Sequence, residues 1–363
     1  MQVTIRKLAP ESKKDIDGWR DLYHVVFGRE FPEEVWKWKY VENPFGDSEG
    51  PLIYLAESNN QIVGARSLLP SMVTIEDGQT RRVLRSCQFS NAIVHPDFRR
   101  QGIFLKATKY SDEDARRKGY QLIYGYPNNQ SLPGHLKMGC AYIGRLRHCA
   151  MVIRPERILA DYFGRRGIPR FIEKALLPVA GVIVRLASPH TAMGRYRLEL
   201  GPVERFAEEI ANLHLYAGPR HGVFGLRSVD FLSWHFGRPD RDYWAYALYE
   251  SDRMAGYLAV HIDRVSRSAS IEDIYAPGLD REILARLLKA AIDDLRSQSY
   301  GSIAISLLDR EWALKSLFSP LHAVRRRYTD VHLIAYPLSN DISPDALSDR
   351  NSWYLQQADL SPF

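Results

Sequence analysis

The chain of 363 residues contains only three cysteines, Cys87, Cys140 and Cys149, and their spacing matches no metal-ligand pattern. So few cysteines fit the reducing cytosol better than a disulfide-stabilised secreted protein. The first fifteen residues, MQVTIRKLAPESKKD, hold no apolar segment of signal-peptide length. No stretch approaches the roughly 18 uncharged apolar residues of a membrane-spanning helix. We therefore expect a cytoplasmic protein without a metal ion, a leader or a transmembrane segment.

A basic surface spread along the chain is also lacking, although the formal net charge is +6. The segment from Arg145 to Glu199 holds eleven Arg or Lys and four Asp or Glu, so its net charge is +7 and the remainder carries −1. Nucleic-acid-binding proteins usually present a basic patch or stripe on the folded domain. A charge excess confined to one segment does not indicate such a partner, and we expect none.

Two long stretches of the sequence repeat one pattern. They are EEVWKWKYVENPFGDSEGPLIYLAESNNQIVGARSL and VDFLSWHFGRPDRDYWAYALYESDRMAGYLAVHI. Each holds a Trp, a corner ending in Pro, an apolar strand, a hairpin at Glu-Ser and a strand opening on a glycine, Gly64 or Gly256. A repeat of this size indicates two copies of one fold, since the repeats of a solenoid are far shorter.

Each copy reads as a mostly antiparallel meander followed by a strand–helix–strand unit. Tight turns are expected at Asn59-Asn60 and Asp77-Gly78, between strand-like apolar segments. This predicts an α/β (α+β) protein whose two tandem domains are mixed, mostly antiparallel sheets flanked by helices. The expected boundaries are 1–154 for the first domain, 155–195 for a connector, 196–340 for the second domain and 341–363 for a tail.

The connector is expected to be helical up to about residue 190, apolar on one face and basic on the other. It reads as an insert that packs on protein, because Glu173, Lys174 and Pro178 interrupt its most apolar part, FIEKALLPVAGVIVRLA. A helix lying on a membrane surface is the alternative, which leaves weak peripheral membrane contact open.

A basic corner, IVHPDFRRQGIF, joins a strand to a helix in the first copy. The start of a helix offers free backbone N–H groups and a partial positive charge, which Arg99 and Arg100 would reinforce. Gly102 would let a ligand approach the backbone without a side chain in the way. The corner therefore predicts a pyrophosphate site. In the second copy the corresponding segment is APGLDREIL, and the basic glycine corner is missing.

The corner resembles the acetyl-CoA motif of the GNAT superfamily of N-acetyltransferases. The motif reads V-x-P-x-x-R-x-x-G-x-G/A, and Val94, Pro96, Arg99 and Gly102 match it in register, whereas Phe104 stands where the last Gly or Ala is usual. A second family element, an Asn followed by a short helix that closes on Gly, matches YPNNQSLPGHLKMGCAY. There Cys140 replaces the usual aromatic residue after the glycine.

The resemblance implies a tandem GNAT arrangement in which the first copy alone binds acetyl-CoA as co-substrate. The thioester would lie in a wedge between two parallel strands, held by the backbone N–H groups of residues 93 and 94. The residues expected to bind the cofactor are Ile93, Val94, Arg99, Arg100, Gln101, Gly102, Ile103, Phe104, Asn129 and Ser131.

The catalytic groups are less clear from the sequence. The strand VLRSCQFSNAIV holds no carboxylate, so the Glu base common in relatives is missing, and Glu57, His24 and Glu34 are weak substitutes. Relatives often place a tyrosine acid four residues before the glycine that closes the short helix. That position is His135 here, a residue type able to exchange protons near neutral pH. An exposed helix residue without a catalytic role is the alternative. Tyr126 and Tyr124 are further candidates that also read as core aromatics.

The function expected from these features is transfer of an acyl group, most simply acetyl, from acyl-CoA to an amine by direct attack on the thioester. The acceptor would be a small-molecule amine such as an amino sugar, and a protein lysine stays open. A CoA-binding scaffold or sensor without turnover is one alternative. A Fem-like aminoacyl transferase is another, although that group has usually lost the CoA corner from its first copy.

Overall fold

The computed structural model describes residues 3–76, 80–154, 156, 193–219, 222–308, 323–343, 347–349 and 352–360. The expected turn at Asp77-Gly78 and nearly all of the expected helical connector lie outside the described residues.

The first half of the chain follows the predicted order of elements. The turn at Asn59-Asn60 is confirmed, with φ of 49° and 60° at its two residues. Asparagine tolerates this left-handed conformation, which a tight hairpin turn requires. The elements are β1 Thr4–Lys7, α1 Lys13–Phe27, α2 Glu33–Trp36 running on as a π-helix over Lys37–Val41, β2 Ile53–Ser58, β3 Gln61–Glu76, β4 Arg81–Val94, α3 Ile103–Arg117, β5 Leu122–Gly125, α4 Leu132–Lys137 and β6 Ala141–Val152.

The second half repeats this order. The repeat correctly predicts three parts of this half: the helix before the meander, the three-stranded meander and the strand–helix–strand unit. The elements are β7 Tyr196–Pro202, α5 Ala207–Ala217, β8 Gly222–Gly225, α6 Val229–Phe236, β9 Asp242–Glu250, β10 Arg253–Asp263, β11 Ser268–Tyr275, α7 Arg281–Ser297, β12 Ser302–Leu308, β13 Ala323–Pro337 and β14 Trp353–Tyr354.

The described strands form one mixed sheet that runs through both halves. Its order is β1, β2, β3, β4, β5, β13, β6, β12, β11, β10, β9 and β7, while β8 pairs with β3 and β14. Most pairs are antiparallel. The parallel pairs are β4 with β5 in the first copy, β11 with β12 in the second, and the short strand β14 with β8. The predicted fold class, two tandem copies of a mixed and mostly antiparallel sheet flanked by helices, is therefore confirmed.

The last strand of each copy lies in the sheet of the other. Strand β13 pairs with β5 on one side, where Ala335 opposes Tyr124, and with β6 on the other. Strand β6 in turn pairs with β12, where Ile305 opposes Cys149. Neither copy completes its sheet alone, and the predicted boundaries after residues 154 and 340 stay predictions.

Equivalent glycines show how alike the two copies are. A Cβ placed on Gly64 would lie 2.9 Å from a methyl of Ile103, and one placed on Gly256 would lie 2.9 Å from the corresponding methyl of Ile283. Each isoleucine belongs to the first turn of the helix that follows the parallel strand, so both glycines let that helix pack closely on the meander.

The helices α2 and α6 join the two copies on one face of the sheet. The indole rings of Trp38 and Trp234 stack with centroids 5.0 Å apart. Each indole Nε1 donates to the main-chain carbonyl of the other tryptophan, at 2.6 and 2.7 Å. This reciprocal contact fixes the position of α2, which lies beside β4, against the second copy.

Candidate functional site

A wedge opens in the sheet where β4 and β5 part. The two parallel strands pair only over residues 86–89 and 122–125, after which β5 ends and β4 continues to Val94. A bulge in β4 lies at this point, because its pairing with β3 shifts register between Arg66–Ala92 and Leu68–Phe89. Among the described strands, the backbone groups of β4 beyond Phe89 that face β5 therefore have no pairing partner.

Backbone alternation decides which N–H groups face the wedge. The N–H of His95 donates to the carbonyl of Val63, so this pair of the β3–β4 ladder is hydrogen-bonded. Hydrogen-bonded and non-hydrogen-bonded pairs alternate in an antiparallel ladder, which turns Ile93 toward β3 and Val94 away from it. By the same rule the N–H of Ala92 faces the wedge, a residue that the sequence motif does not indicate. The N–H groups of residues 92 and 94 thus face the wedge and that of Ile93 faces β3, and the expected part of Ile93 and Val94 in cofactor binding stays a prediction.

The basic corner is built from two residues in left-handed conformation. Arg100 has φ of 61° and Gly102 has φ of 75°. Gly102 is the N-cap of α3, and no described side chain caps this end of the helix. A Cβ on Gly102 would meet none of the described residues within 4 Å, so the space beside this glycine is open among them. The N–H groups at the start of α3 are thus left without a side-chain cap, as an anion site requires.

The polar side chains of the corner are exposed around this space. Arg99, Arg100 and Gln101 are all exposed, and Arg99 Nε donates to the main-chain carbonyl of Val94 at 3.3 Å. Ile103 is only 2% exposed and anchors the helix start against the meander. The positive charges are thus carried on a fixed backbone, and they are free to reach phosphate oxygens.

The second copy fills the same position with its own carboxylate. Asp280 caps α7, and its Oδ1 accepts from the N–H groups of Glu282 at 2.8 Å and Ile283 at 3.2 Å. The corner before it has left-handed residues too, with φ of 64° at Gly278. A carboxylate that occupies the helix start competes with any phosphate, so this end of α7 is satisfied internally.

His135 lies in a buried aromatic group beneath the wedge. It is 2% exposed, its ring centroid is 4.5 Å from that of Phe89 and 5.2 Å from that of Phe104. Burial, with a smaller contribution from Arg66, lowers the pKa of His135 to about 2. The sequence predicts an imidazole that titrates near neutral pH. This prediction is wrong, because the buried ring stays neutral at that pH. Its role in proton transfer stays a prediction that would have to rest on the neutral ring.

Phe104 closes the gap between α3 and α4. A Cβ on Gly134 would lie 2.7 Å from Phe104 Cε1, so the ring packs directly against the backbone of α4. This contact explains why an aromatic residue is tolerated where the family motif has Gly or Ala. It also means that Phe104 must turn if a ligand is to pass between the two helices.

The predicted cofactor residues after β5 are held by neighbouring chain segments. Asn129 Nδ2 donates to Asp330 and its Oδ1 bonds His332 Nε2, both at 2.8 Å and both on β13. Ser131 Oγ bonds the side chain of Asn128 at 3.1 Å. These side chains fasten the loop to the exchanged strand, and their part in cofactor binding stays a prediction.

The tyrosine candidates are core residues at the end of β5. Tyr126 is 7% exposed and packs edge-on to Tyr124, with ring centroids 6.3 Å apart. Tyr124 Oη accepts from Gln88 Nε2 at 3.0 Å. The catalytic role assigned to Tyr126 stays a prediction. The suggested bases Glu57 and His24 lie elsewhere, since Glu57 pairs with Arg6 on β1 and His24 with Glu30, both at about 3 Å.

A cavity lies on the other face of the sheet, between the two copies. Its enclosed volume is small, about 30 Å³, and Gln88 and Tyr124 on the wedge strands form part of its wall. Residues of α6 and of the C-terminal segment complete it, among them Trp234, His235 and Asp359. No sequence motif indicated this site, because its residues come from six separate parts of the chain.

Two polar atoms of this cavity are buried without a hydrogen-bond partner among the described residues. They are Oε1 of Gln88 and Nε2 of His235. The side-chain N–H groups of Gln88 donate to Tyr124 Oη and to the main-chain carbonyl of Asp359. Burial, helped by Arg227, Arg238 and Arg241, lowers the pKa of His235 to about 3, so its ring is neutral. Buried polar atoms usually have a hydrogen-bond partner, so these two atoms are available to a polar ligand that enters the cavity.

A buried ion-pair network fixes the C-terminal segment at this cavity. Arg227 Nε donates to Asp273 at 2.6 Å and its Nη1 to Asp359 at 2.7 Å, and all three side chains are at most 2% exposed. Tyr257 Oη also donates to Asp273, at 2.7 Å. The guanidinium of Arg227 thus holds both β11, which carries Asp273, and the C-terminal segment that contacts Gln88.

The first copy is similar to a known protein family. Residues 5–143 match the family model described as an acetyltransferase (GNAT) domain. This range contains the wedge, the corner and the whole of α4. It is a GNAT domain. A search of curated protein sequences finds no match.

Solved structures extend the likeness to the whole tandem chain. A tandem GNAT protein from the clavulanic acid biosynthesis pathway is 16% identical with a TM-score of 0.58, and the alignment covers 93% of this chain and 99% of that one. A GCN5-related N-acetyltransferase from Anabaena variabilis is 11% identical with a TM-score of 0.61, and a conserved protein from Enterococcus faecalis is 13% identical with 0.62. Both alignments cover 93% of this chain and 73% of the other. At these identities the likeness establishes the fold that the GNAT domain shares with its second copy.

Two further observations concern ligands and membranes. Among the described residues no group of three or more His, Cys, Asp or Glu is arranged to hold a metal ion. In the same part of the chain no helix is both long enough and apolar enough to cross a membrane.

Proposed function

We propose that the protein transfers an acyl group, acetyl in the simplest case, from acyl-CoA to an amine of a small molecule such as an amino sugar. The observation that carries the proposal is the uncapped start of α3, where Gly102 leaves open space before free N–H groups and beside two exposed arginines. The strands β4 and β5 part directly next to it. A CoA thioester has the anionic end and the extended arm that such a site would accept.

The corner and the wedge have the groups that the two ends of acetyl-CoA require. Arg99, Arg100 and the first turn of α3 would hold the pyrophosphate. The N–H groups of Ala92 and Val94 would hold the carbonyl groups of the arm and of the thioester, as an oxyanion site does. When bound, acetyl-CoA supplies the activated acyl group. The chain supplies the orientation, and Phe104 and His135 keep the α4 side of the wedge dry.

The cavity on the opposite face supports an amine as acceptor. Gln88 Oε1 is a buried acceptor with no described partner, and so is His235 Nε2 in the tautomer that carries its proton on Nδ1. An ammonium or amine would donate hydrogen bonds to both atoms. Both lie next to the strands that form the wedge, so an amine held there would face the thioester. The cavity, at about 30 Å³, would admit the amino group of a small molecule rather than a folded protein.

Calorimetry with CoA tests the proposal. The wild-type chain should bind one CoA, and the Arg99→Glu, Gly102→Glu variant should bind none, because two carboxylates would repel the phosphates. The matched control is Arg281→Glu with Gly278→Glu, which makes the same charge change at the corner of the second copy and should leave binding intact. Equal loss in both variants, or unchanged binding in the first, would contradict the proposal.

Turnover is tested by thiol release. The protein with acetyl-CoA should release CoA thiol in the presence of members of a panel of small amines that includes amino sugars, and the acylated amine should appear by mass spectrometry. Tight CoA binding with no product from any amine would favour the scaffold or sensor instead.

A further inference from the structure

Lys39 is a buried amine on the face of the sheet that carries α1 and α2. It lies in the π-helical turn that extends α2 and is 2% exposed. Its Nζ donates to Oδ1 of Asn91 at 3.3 Å. The same oxygen accepts from Tyr40 Oη at 2.8 Å and from Ser90 Oγ at 3.1 Å. Turns of π-helix inside α-helices are rare and occur often at functional sites.

The position of Asn91 brings this amine to the wedge. Asn91 belongs to the bulge of β4, two residues after the last residue that pairs with β5 and one before Ala92, whose N–H faces the wedge. A thioester carbonyl held by Ala92 would therefore lie close to Asn91. The Nζ of Lys39 is hydrogen-bonded to Asn91 of the same bulge.

The surroundings of Lys39 favour the neutral amine. Burial, together with the charge of Arg238, lowers the pKa of Lys39 to about 7. Arg238 is itself paired with Asp240, and the Tyr40 ring centroid lies 5.4 Å from Nζ. Burial raises the pKa of Tyr40, so its hydroxyl stays protonated. A large share of Lys39 is thus an uncharged nucleophile at neutral pH, unlike a surface lysine.

We propose that Lys39 is a self-acylation site, which rests on the proposed function. The lone pair of Nζ attacks the thioester carbonyl carbon, a C–N bond forms and the C–S bond breaks. The proton lost from nitrogen goes to the departing thiolate, directly or through solvent. The products are one N-acyl-lysine and one free CoA thiol, so the step needs no further reactant. It would proceed when acyl-CoA is bound and no acceptor amine fills the cavity.

Mass spectrometry of the full chain with acetyl-CoA and no amine tests the inference. We expect the mass to rise by one acetyl group, located on Lys39 by peptide mapping, with one thiol released per chain. The rate should rise about tenfold between pH 6 and pH 8, as the neutral fraction of a group with pKa near 7 does. Lys39→Arg should abolish it.

Lys37 is the matched control on the same helical turn. Its side chain is 59% exposed and pairs with Glu33, so it reports the uncatalysed acetylation of surface lysines. Lys37→Arg should leave the acylation of Lys39 unchanged. Acylation spread evenly over surface lysines, or none at Lys39 in a chain shown by calorimetry to bind acetyl-CoA, would overturn the inference and leave the proposed function standing. Absence of acetyl-CoA binding would instead remove the proposed function itself.

Discussion

Arg66 shows how a single buried charge organises the floor of the wedge. The residue is 1% exposed, and its guanidinium carbon lies 4.2 Å from the ring centroid of Phe89 and 5.8 Å from that of Phe104. Burial lowers the pKa of Arg66 to about 10, so the group stays charged at neutral pH. Its Nε and Nη2 have no partner among the described residues. A charge in this state repels a protonated His135 and attracts an ionised Asp112.

Asp112 allows a test of this balance. Burial raises its pKa from 3.8 to about 6, although Arg66 and the Ser111 hydroxyl act in the opposite direction. The folded chain therefore holds this proton more tightly than the unfolded chain does, and stability falls as pH rises from about 4 to about 6. Asp112→Asn removes that dependence, and above pH 6 it should be more stable than wild type by about 1–3 kcal/mol.

Urea unfolding between pH 4 and 7.5 would measure the difference. The exposed neighbour Glu113, changed to Gln, provides the control, and its curve should run parallel to that of the wild type. An Asp112→Asn chain that is less stable than wild type by the same amount at every pH would show instead that pairing with Arg66 is the larger effect.

At the scale of elements, α3 and α7 are equivalent helices of the two copies, but their N-termini differ. Each follows a parallel strand and a left-handed corner, and each packs an isoleucine on a glycine of its meander. The start of α3 is open at Gly102, whereas Asp280 closes the start of α7. The N–H groups of one helix are left for a ligand, and those of the other serve the fold.

The cap of α7 should therefore be a stability element. Asp280→Ala removes two hydrogen bonds and a favourable charge at the helix start, which should lower the free energy of unfolding by about 0.5–2 kcal/mol. Asp280→Asn keeps the accepting oxygen and should cost much less. Thermal and urea unfolding of the two variants would measure this. An alanine variant as stable as the asparagine variant would mean that the carboxylate contributes nothing as a cap.

Most elements could be predicted from the sequence, because local signals determine them. Alternating apolar residues around Asn59-Asn60 predict β2 and β3, and the Arg-rich glycine corner predicts the start of α3. The π-helical form of residues 37–41 could not be predicted, since its amphipathic spacing also fits an α-helix. Nor could the burial of Lys39, since a lysine is normally exposed and only the packing of α2 on β4 encloses it.

The site was predicted in part for the same reason. The corner and the parallel strands are continuous in sequence, so the motif led to them. The cavity wall was missed because Gln88 and Asp359 are 271 residues apart in the chain. His135 was expected to titrate near neutral pH because its burial beside Phe89 depends on how α4 packs, which its own sequence does not show.

At the scale of the whole molecule, exchanged strands make the two copies interdependent. β13 covers β5 of the first copy, and β6 covers β12 of the second. The edge of β5 carries Tyr124, and the loop after it carries Asn129, which bonds to β13. Formation of the wedge therefore requires the end of the chain, although its motif lies entirely in the first half. Such pairing joins residues about 200 positions apart, and no local pattern encodes its register.

This interdependence predicts the behaviour of the separated halves. A fragment of residues 1–154 would expose the edges of β5 and β6, and unpaired edges of this kind promote aggregation. We expect it to be insoluble or unfolded alone, and to form a soluble one-to-one complex that binds CoA when co-expressed with residues 193–363. Co-purification through a tag on one fragment, followed by size-exclusion chromatography and calorimetry, would measure this.

Residues 193–322, which lack β13, form the matched control and should rescue neither solubility nor CoA binding. If 1–154 alone were a folded monomer that binds CoA, or if the fragment without β13 rescued it equally well, the first copy would be self-sufficient and the exchanged strand would serve only to join the halves.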